Sequence, residues 1–203
     1  MEDKIIVERI IVGDFFTNCY IIGFKQENLC VIIDPGEEGE KIKRLINNLN
    51  LKAILIINTH GHFDHIGANN FFDLPVHIHK KDIEFLKDPE KNLSSFFSVP
   101  YICKNKVFPI EENDTIEIGK MKFKIIHTPG HTPGSICLKI ENILFTGDTI
   151  FANGIGRTDF PCGDEQVLIK SIKEKLITLP DEIIIYPGHG EPSNLKDFKR
   201  WFL

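Results

Sequence analysis

The stretch AILIINTHGHFDHIGANN, Ala53 to Asn70, decides how this chain is read. It opens on an apolar run and closes on three of the chain's eight histidines, His60, His62 and His65, with Asp64 among them. The run is short and continuous, which predicts a strand buried on both faces. A polar cluster directly behind such a strand sits where loops carry function on a rigid scaffold. The spacing His-x-His-x-Asp-His is too tight for one helix face, where neighbours recur at three or four residues. It fits a loop entering a helix, with side chains splayed toward two points.

The same construction recurs further on. MKFKIIHTPG leads into His131, NILFTG into Asp148 and EIIIYPG into His189. Each time an apolar run ends in a Gly, Pro or Thr turn, and a histidine or aspartate follows. Buried strands of this kind would open their turns at one edge of the sheets. Imidazole nitrogen and carboxylate oxygen suit zinc, iron or manganese. The candidate ligands are His60, His62, Asp64, His65, His131, Asp148 and His189, more than the four that one tetrahedral zinc takes. A two-metal site with a carboxylate bridge would use them all. His77 and His79, in VHIHK, lack the turn and read as ordinary residues sharing one strand face. His127 reads the same way, or as a group supporting a ligand.

Around these motifs the pattern alternates between strands and helices. KIIVERIIV (4–12), CYIIGF (19–24) and NLCVIIDPG (28–36) read as strands. Ile42, Leu45, Ile46 and Leu49 have helical spacing, as do Val167, Ile169, Ile172, Leu176 and Leu179. A helix is expected to start within Ile66 to Phe72, and another in KDIEFLKD (81–88). PVHIHK, DTIEIGKMKFKIIH, SICLKI, ILFTG and EIIIYPG read as strands, with turns at EIGKM and KIENIL, and the chain closes on a short helix. Pro89 to Asn105 has no clear period and reads as a loop or short helix over a site. Two halves of like grammar predict an α/β fold with two sheets face to face and helices outside.

The totals set limits. A length of 203 residues with 42% apolar and 26% charged side chains fits one soluble domain, 1–203. A formal net charge of −5 gives no reason to expect nucleic acid or an acidic membrane as partner. Neither a secretory signal nor a membrane-length apolar run is evident. The five cysteines are scattered without a CxxC pair, as in a reducing cytoplasm.

THGHFDH, TPGHTPGS, FTGDTIF and YPGHG, in that order, resemble the metallo-β-lactamase superfamily over nearly the whole chain. Within it, His65 after Asp64, Asp148, and GIGRTDFPCGD (154–164) resemble the short glyoxalase II-like (hydroxyacylglutathione hydrolase-like) enzymes. The resemblance implies a four-layer αββα sandwich. It also implies that His60, His62 and His131 hold one divalent metal, zinc before iron or manganese. Asp64, His65 and His189 hold a second, and Asp148 bridges them. It further implies hydrolysis of a small-molecule thioester by metal-activated hydroxide, with Asp64 orienting the nucleophile. The Gly-Arg-Thr-Asp-Phe run also resembles persulfide dioxygenases, in which one iron sits at positions matching His60, His131 and Asp148. Asn18 and Asp34 match family segments; Asp34 either orders the ligand loop or only forms the turn before Pro35. Arg157 is read as an ion-pair partner of Asp159, ahead of a role in steering anionic substrates. The C-terminal helical domain of full-length glyoxalase II has no counterpart after His189.

Overall fold

A computed structural model describes residues 5–97 and 99–203, so Lys4, at the head of the first expected strand, lies outside the described residues. The first sheet has the order β1 (Ile5–Val12), β2 (Thr17–Phe24), β3 (Leu29–Ile33), β4 (Lys52–Ile57), β5 (Val76–His79) and β6 (Val107–Ile110). Its first pairings are antiparallel, and β3 to β6 run parallel. A parallel pair needs a crossover, and α1 (Gly39–Asn48) supplies the one from β3 to β4.

The second sheet is formed by β7 (Thr115–Ile118), β8 (Met121–His127), β9 (Ile136–Ile140), β10 (Ile143–Gly147), β13 (Ile184–Pro187) and β14 (Ser193–Asn194). Its spatial order is β14-β13-β10-β9-β8-β7. Between β10 and β13 the chain makes a two-stranded ribbon of β11 (Ile150–Phe151) and β12 (Gly154–Ile155), then α4 (Glu165–Ser171). The chain ends in α5 (Leu195–Phe202).

Period-two alternation explains the layering. Val31 and Ile33 face inward to Phe123, Leu138 and Phe145 of the second sheet. Cys30 and Ile32, between and beside them, face outward to Ile42 and Ile46 of α1. The second sheet does the same, turning Cys137, Leu144 and Ile185 toward Leu168 of α4 and Phe198 of α5. The result is helix, sheet, sheet, helix: the αββα sandwich. Phe145 is fully buried between the sheets, and truncation to alanine there would cost ~3–5 kcal/mol.

Local expectations shift in four places. The helix expected within Ile66–Phe72 starts earlier, as α2 (Phe63–Ile66), and gives way to a 3-10 turn at Asn69–Phe71. KDIEFLKD forms only a 3-10 turn, Lys80–Asp82, followed by turns. Strand β6 carries Pro109 and joins the sheet at its edge, where a missing N–H is tolerated. Helix α4 is capped by Asp164, whose side chain accepts from Val167 N at 3.0 Å, and runs into a π-helical turn at Ile172–Leu176. Leu168, Ile172 and Leu176, four residues apart, form the buried face, and Val167, expected on that face, is exposed.

Candidate metal centre

Each apolar strand delivers a polar residue to the same edge. His60 and His62 lie on the turn after β4, and Asp64 and His65 fall in α2 directly behind it. His131 follows β8, while Asp148 and His189 follow the ends of β10 and β13. The structure brings all of these predicted residues together. His131 Nε2 lies 2.9 Å from His62 Nδ1 and 3.3 Å from His60 Nε2. His189 Nε2 lies 3.3 Å from both His65 Nε2 and Asp64 Oδ2. The Asp148 carboxylate stands between the two clusters, 3.4 Å from His65, 3.5 Å from His189 and 3.7 Å from His131. Ligand atoms of His60, His62 and His131, of His60, His65 and Asp148, and of Asp64, His65 and His189 each lie within 4.8 Å of one another.

The far ring nitrogens are fixed by acceptors. Asp34 Oδ2 accepts from His65 Nδ1 at 3.0 Å and from Thr59 Oγ1 at 2.6 Å. Thr59 Oγ1 in turn stands 3.2 Å from His60 Nδ1. Arg157 O accepts from His131 Nδ1 at 2.7 Å, and Phe15 O from His189 Nδ1 at 3.0 Å. Such partners set the tautomer and leave Nε2 free to face a cation. Asp34 thus does order the ligand loop, and it also holds the turn before Pro35 with φ at 51°. Asn18 donates to Pro187 O and Gly190 O, pinning the turn that carries His189.

These side chains fit a divalent metal. With Nδ1–H committed elsewhere, His60 and His131 point Nε2 lone pairs at each other, an unfavourable contact that a shared cation relieves. His62 turns Nδ1 to the same point, 2.9 Å from His131 Nε2, and Asp148 Oδ1 is buried without a hydrogen-bond partner among the described residues. Burial, and then the neighbouring imidazoles, push His60 and His62 well below the usual histidine range, so both are neutral donors at pH 7. Burial raises the Asp64 carboxyl, but His65 and His189 more than offset it and hold it well below its ordinary value. A Cβ on Gly188 would come within 2.2 Å of Asp148 Oδ1, so only glycine lets that carboxylate into the centre.

Above the cluster is a cavity of about 420 Å³, walled by Phe15, Phe63, Leu93, Phe97, Phe151, Ile155 and Phe160, with Arg157 at its side. The 89–105 segment, which carries the one-turn helix α3 (Ser94–Phe97), does reach over the site. Its anchor is Asn92, whose side chain donates to Phe85 O and Tyr101 O and whose carbonyl accepts from Phe63 N.

Sequence reasoning missed several supports. Asp82 accepts from Gly61 N, Gly134 N and Thr132 Oγ1, tying the two ligand-bearing loops together. Thr17 Oγ1 donates to Asp64 Oδ2, and Tyr20 donates to Pro187 O. Thr17 and Tyr20 both fall within TNCYII, the segment that carries Asn18. His77 stacks on Phe108, and His79 stacks on His127 with centroids 3.9 Å apart. His127 donates to Pro133 O and touches none of the cluster's side chains by hydrogen bond.

A family profile described as Metallo-beta-lactamase superfamily matches residues 12–189. The chain belongs to the metallo-beta-lactamase superfamily. Among curated members it is 38% identical to Hydroxyacylglutathione hydrolase GloC of Haemophilus influenzae, over 96% of this chain and 95% of that one. It is 36% identical to Probable metallo-hydrolase YqgX of Bacillus subtilis, over 92% and 91%. Among solved structures of the superfamily it is similar to the BLEG-1 B3 metallo-beta-lactamase, with a TM-score of 0.87, 34% identity and 95% of each chain covered. TTHA1623 in a di-iron-bound form has a TM-score of 0.81 and 32% identity, over 95% and 97%. ETHE1 from Myxococcus xanthus has a TM-score of 0.78 and 29% identity, over 97% and 83%. A His/Asp cluster at the strand ends of this superfamily's fold marks a divalent metal site. No helix among the described residues is long and apolar enough to cross a membrane.

Proposed function

We propose that this chain is a single-domain metallohydrolase, 1–203, that cleaves a small-molecule thioester, in the glyoxalase II-like manner. The observation that carries the reading is a pair of donor clusters joined by Asp148 beneath a cavity without a side-chain nucleophile. No Ser, Cys, Lys or Tyr is among the cavity's described lining residues. The likeness to the Haemophilus influenzae hydroxyacylglutathione hydrolase supports it.

In this reading His60, His62 and His131 would hold one metal and Asp64, His65 and His189 the second, with Asp148 between the two sets. Zinc is the proposed ion, with iron or manganese as the alternatives for a nitrogen and oxygen donor set. When bound, the metals supply Lewis acidity and a water acidified to near neutrality. Asp64 stays a carboxylate, so it can accept a hydrogen bond from that water and turn it toward the acyl carbon. Asp34, Arg157 O and Phe15 O keep the imidazoles from rotating away. The Phe walls exclude bulk water. A thiolate leaves unaided, because a thiol ionises near pH ~8.5, and the pocket therefore needs no acid to protonate it. The free cysteines fit the reducing cytoplasm we assign as its compartment.

Elemental analysis paired with a thioester panel that includes S-lactoylglutathione tests the proposal. Two metals per chain and thioester turnover are expected, with both lost in Asp148→Ala. An Asp148→Ala protein with unchanged metal and activity would sink it. A second reading, a single-iron oxidoreductase of the persulfide dioxygenase type, is favoured by Gly156 to Phe160 and is in keeping with the ETHE1 likeness. One iron per chain, with oxygen consumed on glutathione persulfide, would establish that reading in place of the first.

A further inference from the structure

The walls of the cavity are far more apolar than a glutathione thioester requires. Phe15 packs edge-on against Phe63 at 5.2 Å and against Phe97 at 5.8 Å, and Phe97 meets Phe160 at 6.4 Å. These rings form a continuous aromatic wall from the ligand helix α2 to the loop after β12. Phe97 is 53% exposed and Phe15 42%, so the wall continues to the mouth and is partly open to water there. Exposed aromatic surface beside a catalytic cleft is what an apolar ligand covers.

The charges point the same way. Glutathione carries two carboxylates, and a site selecting for it would present free cations to them. Arg157 is the one cationic side chain among the cavity's described lining residues apart from the histidines of the metal cluster. Its guanidinium is already committed. Nε and Nη2 donate to both Asp159 oxygens at 2.7 and 2.6 Å, and its plane lies over Phe160 at 4.0 Å. The Asp159 carboxylate offsets the guanidinium's charge toward an incoming anion, in a pair that stands exposed at the rim. The arginine therefore extends the flat wall and does not act as an anion anchor.

We infer that the group this cavity accepts is apolar and uncharged: the substrate is a thioester bearing an aryl or medium-chain alkyl group, and the pocket discriminates against a charged peptide thiol. The inference rests on the thioester hydrolase reading above. The carbonyl lies over Asp148 while the apolar group lies along Phe63, Phe97 and Phe160. Hydrolysis adds water across the C–S bond: the oxygen goes to the acyl carbon, the sulfur leaves with the electron pair as thiolate, and the two protons of the water pass to solvent as the carboxylate product forms.

The test uses the metal-loaded full chain and two substrate series. One varies the acyl group from acetyl to hexanoyl and benzoyl on a single small thiol. The other keeps acetyl and varies the thiol from glutathione to phenylmethanethiol. A rise in kcat/KM of about fourfold per buried methylene is expected in one series or the other, which also tells which side of the ester occupies the wall. Phe97→Ser should lower that kcat/KM about tenfold, with metal content unchanged. Calorimetric titration with hexanoate and lactate gives a readout independent of turnover, and hexanoate is expected to bind tighter. A preference for S-lactoylglutathione over every apolar ester, or a flat profile in both series, overturns the inference and leaves the hydrolase reading standing. Tight hexanoate binding with no thioester cleaved overturns the hydrolase reading and leaves the apolar pocket standing.

Discussion

Asp34 Oδ2 and His65 Nδ1 lie 3.0 Å apart, both fully buried, and the same carboxylate reaches His60 through Thr59. One aspartate outside the metal cluster thus orients an imidazole in each half of it. Asp34→Ala would leave Thr59 N, Thr59 Oγ1 and His65 Nδ1 without their acceptor. Each stranded buried donor costs ~1–3 kcal/mol, and loss of such a partner lowers metal affinity by roughly 10–100-fold. Thermal melts and metal titration of the purified variant check both effects; unchanged metal affinity would contradict the assignment.

Gly188 is expected to be as sensitive as a ligand. An added Cβ would lie 2.2 Å from Asp148 Oδ1 and 2.7 Å from His65 Cε1. Gly188→Ala should therefore lose bound metal and activity while its far-ultraviolet circular dichroism stays that of the parent. At Gly190 a new Cβ meets nothing within 4 Å, so Gly190→Ala carries only the strain of its φ of 77°, on the order of 1–2 kcal/mol. Metal content in the two alanine variants separates crowding of the centre from backbone strain.

Metal binding should release protons. Burial alone would lower His65, but Asp64, Asp148 and Asp34 raise it to about 10, so below that pH the metal-free chain holds an imidazolium there. A cation on Nε2 must displace that proton, and affinity at that half of the centre weakens as pH falls. Titration calorimetry in buffers of differing ionisation enthalpy measures the proton count. In Asp34→Asn, which removes one of the raising charges, the count near neutral pH should drop.

The stacked pair His79 and His127 predicts acid sensitivity away from the centre. Burial first, and then His127 and Lys81, lower His79 to about 4. The unfolded chain takes up this proton near pH ~6.5 and the folded chain only near 4. Stability that depends on neutral His79 is complete above the unfolded value and is lost as pH falls from there toward the folded one. Melting temperatures of His79→Gln, taken from pH 8 to 4, should fall less steeply than those of the parent.

The cluster was legible in the sequence because its members follow short strand-like runs, continuous in AILII and EIIIY and alternating in MKFKII, that each end in a Gly, Pro or Thr turn. His60 and His189, far apart in the chain, share that grammar. Asp82 was not legible: in HKKDIEFLKD it looks like one more surface charge. Its role exists only because the fold brings Gly61, Thr132 and Gly134 around it. The cavity wall was half visible. Phe63 sits inside the motif, but Leu93 and Phe97 belong to a segment without period. That segment is placed by Asn92 through bonds to Phe85, Tyr101 and Phe63, not by its own pattern.

The clusters also draw on both halves of the chain. His60 and His62 come from the first sheet's edge and meet His131 from the second; Asp64 and His65 meet His189. A cation seated there would add a clasp to the polar ties that already cross between the sheets at this edge, from Asn18 and Tyr20 to Pro187 O. Capture of the ion would thus report that the halves have docked, because each donor set is complete only across the two sheets.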